Sequence, residues 1–314
     1  MTNFQQTLST ITDYIKADIF PGASLALYDG QDWQEHYLGT QDGNHPVVPG
    51  LTYDLASVSK VVGVGTLCLF YLQAGKLDLD EKLSTYYPEV VDKTLTLRQL
   101  LSHSSGIDPF IPNRDDLDQE GLIAAINALK VKTDKPFLYT DINFILLGLM
   151  LEKLSGQTLD KLFDSEIFQP FGMSETRFGP VEVAVPTVEG VPGGTVHDPK
   201  ARVLKEHTGS AGLFSTLKDL EIFVNHYLTD DFAKNMTQNI SQSNKERSVA
   251  WDLQGEWILH TGYTGTFVLI NIPAQRAAIF LSNRTYYKDE RAQWIKDRDV
   301  LIEIMKKELV HSDK

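Results

Sequence analysis

Strand-like segments lie at both ends of this chain and helix-like segments fill its middle. That distribution restricts the fold more than any other feature. Near the N-terminus, Phe4, Leu8, Ile11 and Ile15 recur at three- and four-residue steps, which is one face of a helix. Pro21-Gly22 breaks that helix. Residues 23–28 then read as a strand, Asp29-Gly30 as a turn, and residues 33–38 as the returning strand of a hairpin. Four β-rich segments follow much later, over 248–253, 257–260, 266–272 and 277–282. The chain closes on a helix with Trp294, Leu301, Met305 and Leu309 on one side and charges on the other. The simplest arrangement is an α/β fold of the α+β type. One antiparallel sheet is built from both chain ends, flanked by the N- and C-terminal helices, with a mostly helical part beside it. The expected division is a sheet domain over 1–75 and 215–314 and a mostly helical domain with long loops over 76–214, with the active site between them.

The middle supports this reading. Residues 58–74 are apolar and helix-length, with Gly75 placed as a C-cap. Shorter helical patterns span 122–129 and 144–154, and the Pro- and Gly-rich stretch 178–202 reads as a long surface loop. Thr216 followed by Asp219 resembles a capping box opening a helix to residue 227. Hydrophobic residues make up 42% and charged residues 23%, which excludes a disordered or fibrous chain. Lys plus Arg is 29 and Asp plus Glu is 42, a formal charge of −13. A chain this acidic repels phosphate backbones and anionic membranes, so no nucleic-acid partner is expected. Cys68 is the only cysteine, which excludes an internal disulfide and a Cys-based zinc or iron–sulfur site within this chain. It lies in an apolar run and reads as a buried thiol. The first basic residue is Lys16, too late for a secretory n-region, and no run approaches the ~18 apolar residues of a membrane span. The expectation is a cytoplasmic protein without a membrane span.

Several catalytic and cofactor motifs are absent: the phosphate-binding G-x-x-x-x-G-K-[ST], G-x-G-x-x-G, H-E-x-x-H and G-x-S-x-G. The eight histidines show no metal-ligand spacing, so neither a metal nor a cofactor is expected. S-x-x-K occurs twice, at Ser57-Val58-Ser59-Lys60 and at Ser215-Thr216-Leu217-Lys218. Residues three apart share a helix face, so the Lys60 amine reaches the Ser57 hydroxyl. A serine hydroxyl is a weak nucleophile until a base takes its proton. A lysine serves only if burial or a neighbouring cation lowers its pKa, and the apolar run after Lys60 supplies burial. The second copy reads as a helix cap followed by a solvated lysine.

Two further motifs separate the copies. Tyr139-Thr140-Asp141 precedes a helix, and His260-Thr261-Gly262 ends a strand. S-x-x-K, Y-x-N and K-T-G or H-T-G, in that order, is the pattern of penicillin-recognising serine hydrolases. The chain resembles their class C β-lactamase, D,D-peptidase and esterase branch. The likeness also covers Pro21 to Ser24, Asp54 to Lys60, Leu97 to Gly106, Tyr139 to Gly148, Gly209 to Thr216 and His260 to Gly265. It implies a β-lactamase/transpeptidase-like fold. It also implies a serine hydrolase working through an acyl-enzyme on Ser57, with Lys60 and Tyr139 sharing the proton transfers. The implied oxyanion hole is the backbone N–H of Ser57 and of Tyr263. Thr261 and Gly262 would lie along the substrate backbone, with Asp141 and His260 among the substrate-binding residues.

Two positions depart from the pattern. Asp141 stands where the family has asparagine. An ionised aspartate only accepts hydrogen bonds, which disfavours a substrate carboxylate or carbonyl there and favours a charged Lys60. Its alternative role is to cap the following helix. His260 stands where β-lactamases have lysine and would hold a substrate carboxylate less firmly. His103, in the Leu-Ser-His-Ser-Ser-Gly stretch, reads as structural, and neither it nor His197 reads as the base. The expected partner is a small-molecule or short-peptide acyl substrate, with β-lactams as further acylating ligands. Ester or amide/D-peptide hydrolysis leads. D-alanyl-D-alanine carboxypeptidase or weak β-lactamase activity is the alternative, and a non-catalytic penicillin-binding or regulatory domain the further one.

Overall fold

The structure is a computed structural model and describes residues 4–310. The chain enters through α1 (Gln5–Lys16) and the hairpin β1 (Gly22–Tyr28) and β2 (Trp33–Gly39). A short strand β3 (Thr52–Asp54) leads into the first S-x-x-K segment and α2 (Thr66–Gln73). The helical middle includes α3 (Asp141–Ser155), and is followed by β4 (Arg177–Phe178), β5 (Leu213–Thr216) and α4 (Leu217–Thr229). Strands β6 (Asp252–Gln254), β7 (Trp257–Thr261), β8 (Phe267–Asn271) and β9 (Arg276–Ser282) precede α5 (Arg291–Val310).

The main sheet is antiparallel in the order β2-β1-β9-β8-β7-β6. β1 pairs with β9 from Ala23 opposite Ser282 to Tyr28 opposite Ala277, so the two chain ends meet in the middle of one sheet. Alternate side chains face opposite layers. Ala23, Leu25 and Leu27 of β1 join Phe267, Leu269 and Phe280 against Ile11 of α1 and Trp294, Leu301 and Met305 of α5. Ala26, Val268, Ile270 and Ile279 face the other way, into a cluster with α2, α3 and α4. Both faces are covered by helices, as the pattern at the two chain ends requires. Cys68 is fully buried on α2, and burial pushes its thiol up to about 12.

Several local expectations change. A second, three-stranded sheet in the order β3-β5-β4 has no counterpart in the periodicity, because strands of two to four residues carry too few alternations. The single helix expected over 58–74 is a 3₁₀ turn at Ala56–Val58, a wide π turn at Val61–Gly65 and then α2. Thr66 Oγ1 donates to the Val61 carbonyl at 2.7 Å, satisfying a group five residues back. By length and composition Ala56–Gln73 does qualify as a membrane span, contrary to expectation, but 78% of it is buried inside the protein. The stretch 178–202 is not wholly surface: Ala184, Val196 and Ala201 bury themselves against Ala211 and Phe214. It also holds a short helix, Pro199–Leu204, capped by the Asp198 carboxylate.

Candidate active site

The first S-x-x-K serine sits on a turn held from below. Ala56 adopts φ +46°, a left-handed conformation costly for a residue with a Cβ, so the surroundings must impose it. The buried Asp54 carboxylate accepts the Ala56 N–H at 2.8 Å and, on its other oxygen, the His197 N–H at 2.8 Å. Burial raises this carboxyl to about 6, against those two bonds. The turn after β7 is tied to the same segment: Thr264 Oγ1 donates to the Asp54 carbonyl and Thr266 Oγ1 to that of Leu55, both at 3.0 Å.

Lys60 is fully buried, and its ammonium donates to three oxygens at 2.8 Å each: Ser57 Oγ, Asp141 Oδ1 and the Ser210 carbonyl. Next to Ser210, Gly209 packs so closely on α3 that a Cβ there would lie 2.2 Å from the Phe144 carbonyl. The expectation that burial would lower the Lys60 pKa fails. Burial does act downward, but the adjoining Asp141 carboxylate and then Tyr139 outweigh it, and the ammonium is held above its ordinary range. Asp141 itself is pulled far below the usual carboxylate range by Lys60 and Lys200, despite burial acting the other way. It does not cap α3. The cap is Thr140, whose side chain accepts the Ile142 N–H, and both Asp141 oxygens are engaged by lysines.

The Tyr139 ring lies 5.2 Å from Lys60 Nζ and faces the cleft. His103 stacks on it at 4.4 Å, with Nδ1 accepting from Asn143 Nδ2 at 3.0 Å. Ser105 Oγ holds the other end of that amide at 2.7 Å. The Leu-Ser-His-Ser-Ser-Gly stretch thus forms the wall behind Tyr139. Burial, then the nearby cations Arg247 and Lys60, push His103 well below the usual imidazole range. Burial, then Lys60 and Arg247, do the same to His260, so it is neutral at pH 7. Both His260 ring nitrogens are buried without a hydrogen-bond partner among the described residues, beside a cavity of about 430 Å³.

Thr261 lines that cavity, and Arg298 Nη1 of α5 reaches its hydroxyl at 3.3 Å. Gly262 follows where no side chain fits: a Cβ would lie 2.1 Å from Thr266 Oγ1 and 2.6 Å from the Leu55 carbonyl. Gly262→Ala is expected to lower kcat on the order of 10²-fold by forcing β7 away from the serine turn. Steady-state kinetics on folded protein checks it; an unchanged kcat refutes the tight fit. The Tyr263 carbonyl accepts from Arg284 Nε at 2.8 Å, and its phenol donates to Asp289 at 2.5 Å. Arg284 also pairs with Asp289, so this peptide is fixed from two sides. A second cavity of about 570 Å³ opens on Ser57, Tyr139, Asp141, His197 and Tyr263.

The second S-x-x-K is a different object. Ser215 bonds Thr176 at 2.7 Å, while Lys218 is exposed and pairs with Glu35 and Glu221. The structure therefore gathers Ser57, Tyr139, Asp141, His260, Thr261, Gly262 and Tyr263 around adjoining cavities, with Lys60 beneath Ser57 and Asp141. Sequence reasoning missed Lys200, Arg247, Arg284 and Arg298. None lies at a fixed spacing from a motif, and only the unusual Asp141 signals that a second cation is needed.

A serine hydroxyl in contact with a buried lysine one turn along, beside a tyrosine and a strand end, defines a serine hydrolase of the S-x-x-K type. Residues 9–302 match the family model described as Beta-lactamase, and the chain belongs to this family. It is 26% identical to a putative D-alanyl-D-alanine carboxypeptidase of Escherichia coli K12, over 76% of this chain and 70% of that one. It is 25% identical to an N-acetylmuramyl-L-alanine amidase of Bacillus subtilis 168, over 89% and 81%. The fold is similar to that of a β-lactamase/D-alanine carboxypeptidase from Pseudomonas syringae, with a TM-score of 0.75, 17% identity, and 95% and 97% of the two chains covered.

Proposed function

We propose that the protein hydrolyses acyl donors through an ester formed on Ser57. The observation that carries this is the 2.8 Å contact between the buried Lys60 ammonium and Ser57 Oγ. Ser57 Oγ attacks the substrate carbonyl. Lys60, held charged by Asp141, steadies the Ser57 oxygen as charge develops on it, and the serine proton leaves through the Lys60–Tyr139 pair. The substrate carbonyl oxygen becomes negative between the N–H groups of Ser57 and Tyr263, each such donor contributing ~2.7–4 kcal/mol to the transition state. Tyr139 returns the proton to the departing amine or alcohol. Water then cleaves the ester by the reverse proton path and frees Ser57.

Among acyl donors, peptides or amides whose leaving part ends in a carboxylate fit best. A leaving part that runs from Ser57 past Tyr139 and Thr261 enters the cavity lined also by Arg298 and Arg247. Arg247 is buried, and its Nε has no partner among the described residues. Asp252, Asp299 and Glu303 on the same cavity balance its cations, so recognition rests on directed N–H donors more than on net field. The carboxypeptidase name of one relative supports the same substrate class, and the amidase name of another supports amide cleavage.

Intact-mass spectrometry after mixing with a β-lactam or a p-nitrophenyl ester tests the acyl-enzyme. An adduct on Ser57, or rapid turnover that requires it, is expected; silence toward both reagents refutes the reading. Substrate class is tested with Arg247→Met on a peptide ending in D-Ala-D-Ala and on the ester. The peptide-to-ester ratio of kcat/KM is expected to fall at least about tenfold, the loss of one charge-assisted contact. Equal losses on both substrates would remove the carboxylate assignment.

A further inference from the structure

The carboxylate that departs from the family pattern is shared by two ammonium groups. Lys60 Nζ lies 2.8 Å from Asp141 Oδ1, and Lys200 Nζ lies 2.9 Å from Oδ2. Lys200 extends from the first turn of the short helix Pro199–Leu204 and is only 14% exposed. Its other charged neighbour is Asp198, at 3.6 Å. Around Lys60 the remaining titratable groups are Tyr139 and the neutral imidazoles His103 and His260, with Arg247 as the nearby fixed cation. Lys60, Asp141 and Lys200 together carry one positive charge. Lys60 beside a neutral asparagine would carry the same.

We propose that Lys200 is a positioning residue for the Ser57 reaction, the counter-charge that offsets the Asp141 carboxylate beside Lys60. The proposal rests on the Ser57 acyl-enzyme reading. Without Lys200, the whole field of a buried carboxylate falls on Lys60 and on the developing Tyr139 phenolate. Removing a cation makes proton loss harder from either group. The direction is therefore the same whichever of the two releases the proton.

The test is the pH profile of kcat/KM for a p-nitrophenyl ester in wild type, Lys200→Met, Asp141→Asn and the double variant. Lys200→Met is expected to move the ascending limb upward by about one pH unit, about a tenfold loss at a pH on that limb. Asp141→Asn moves it downward, because Lys200 is then unopposed by that carboxylate. The double variant returns it to near the wild-type position, and Lys200→Arg preserves it. Lys200→Gln, a donor without charge, replaces Met if that variant fails to fold, and moves the limb the same way. A uniform loss with an unmoved limb overturns the proposal, as does a limb that stays displaced in the double variant. Labelling of Ser57 by a fluorophosphonate separates the two levels. Labelled wild type with an unmoved limb overturns only the role of Lys200. Unlabelled wild type overturns the Ser57 reading, and this proposal with it.

Discussion

Ser57→Ala is expected to lower kcat on the order of 10⁴-fold or more on any acyl substrate. The fold should be nearly unaffected. Ser57 Oγ is one of three oxygens around Lys60 Nζ, and the other two, on Asp141 and Ser210, remain. The stability change is therefore about 1 kcal/mol, that of one hydrogen bond. Kinetics and a thermal melt on the same preparation check both halves. Undiminished turnover by the alanine variant would place the nucleophile elsewhere. A collapse of the melt would show that the serine also holds the turn.

Lys60→Met is expected to remove turnover to a similar extent and also to destabilise the protein, which sets it apart from Ser57→Ala. It leaves the Ser210 carbonyl without its donor and Asp141 with Lys200 alone. Breaking a buried pair costs about 3–5 kcal/mol when the partner is stranded, and Lys200 should hold the loss to about 3 kcal/mol or less. The pH dependence has a definite sign. Asp141 is depressed in the folded state, so its contribution is present above its unfolded pKa of about 4 and is lost as pH falls through the folded value. Removing Lys60 weakens that contribution. The deficit of Lys60→Met should thus be full at pH 7 and shrink below pH ~4, where Asp141 protonates more readily in the variant. Denaturant melts from pH 3 to 7 decide it; a deficit independent of pH would mean that packing, not charge, dominates.

The pairing of the two chain ends was readable because long strands and helices repeat. Residues 23–28 and 277–282 are apolar runs long enough to declare strands buried on both faces, and Trp294, Leu301, Met305 and Leu309 declare a helix face. The second sheet was not readable, since Thr52–Asp54 and Arg177–Phe178 are too short to show a period. The π turn after Lys60 is accompanied by a side-chain bond from Thr66 to Val61, which no periodicity registers. The eight site residues named from motifs come together because those motifs lie at strand and helix ends, where side chains converge.

Order and spacing along the chain by themselves determined the family pattern, the choice of Ser57 over Ser215, and the place of Tyr139 and of His260 to Tyr263. The unusual Asp141 already pointed to a charged Lys60, but only the tertiary structure decided that its field outweighs burial, and that His260 is neutral. Lys60 is as buried as the sequence implies, yet its pKa moves up and not down. Burial is a local property of an apolar run, whereas the opposing field comes from Asp141, 81 residues away. Lys200, Arg247 and Arg284 enter the site by the same route. Coulomb attraction acts through space over a few ångströms, and the chain distance to Lys200, Arg247 or Arg284 carries no trace of it.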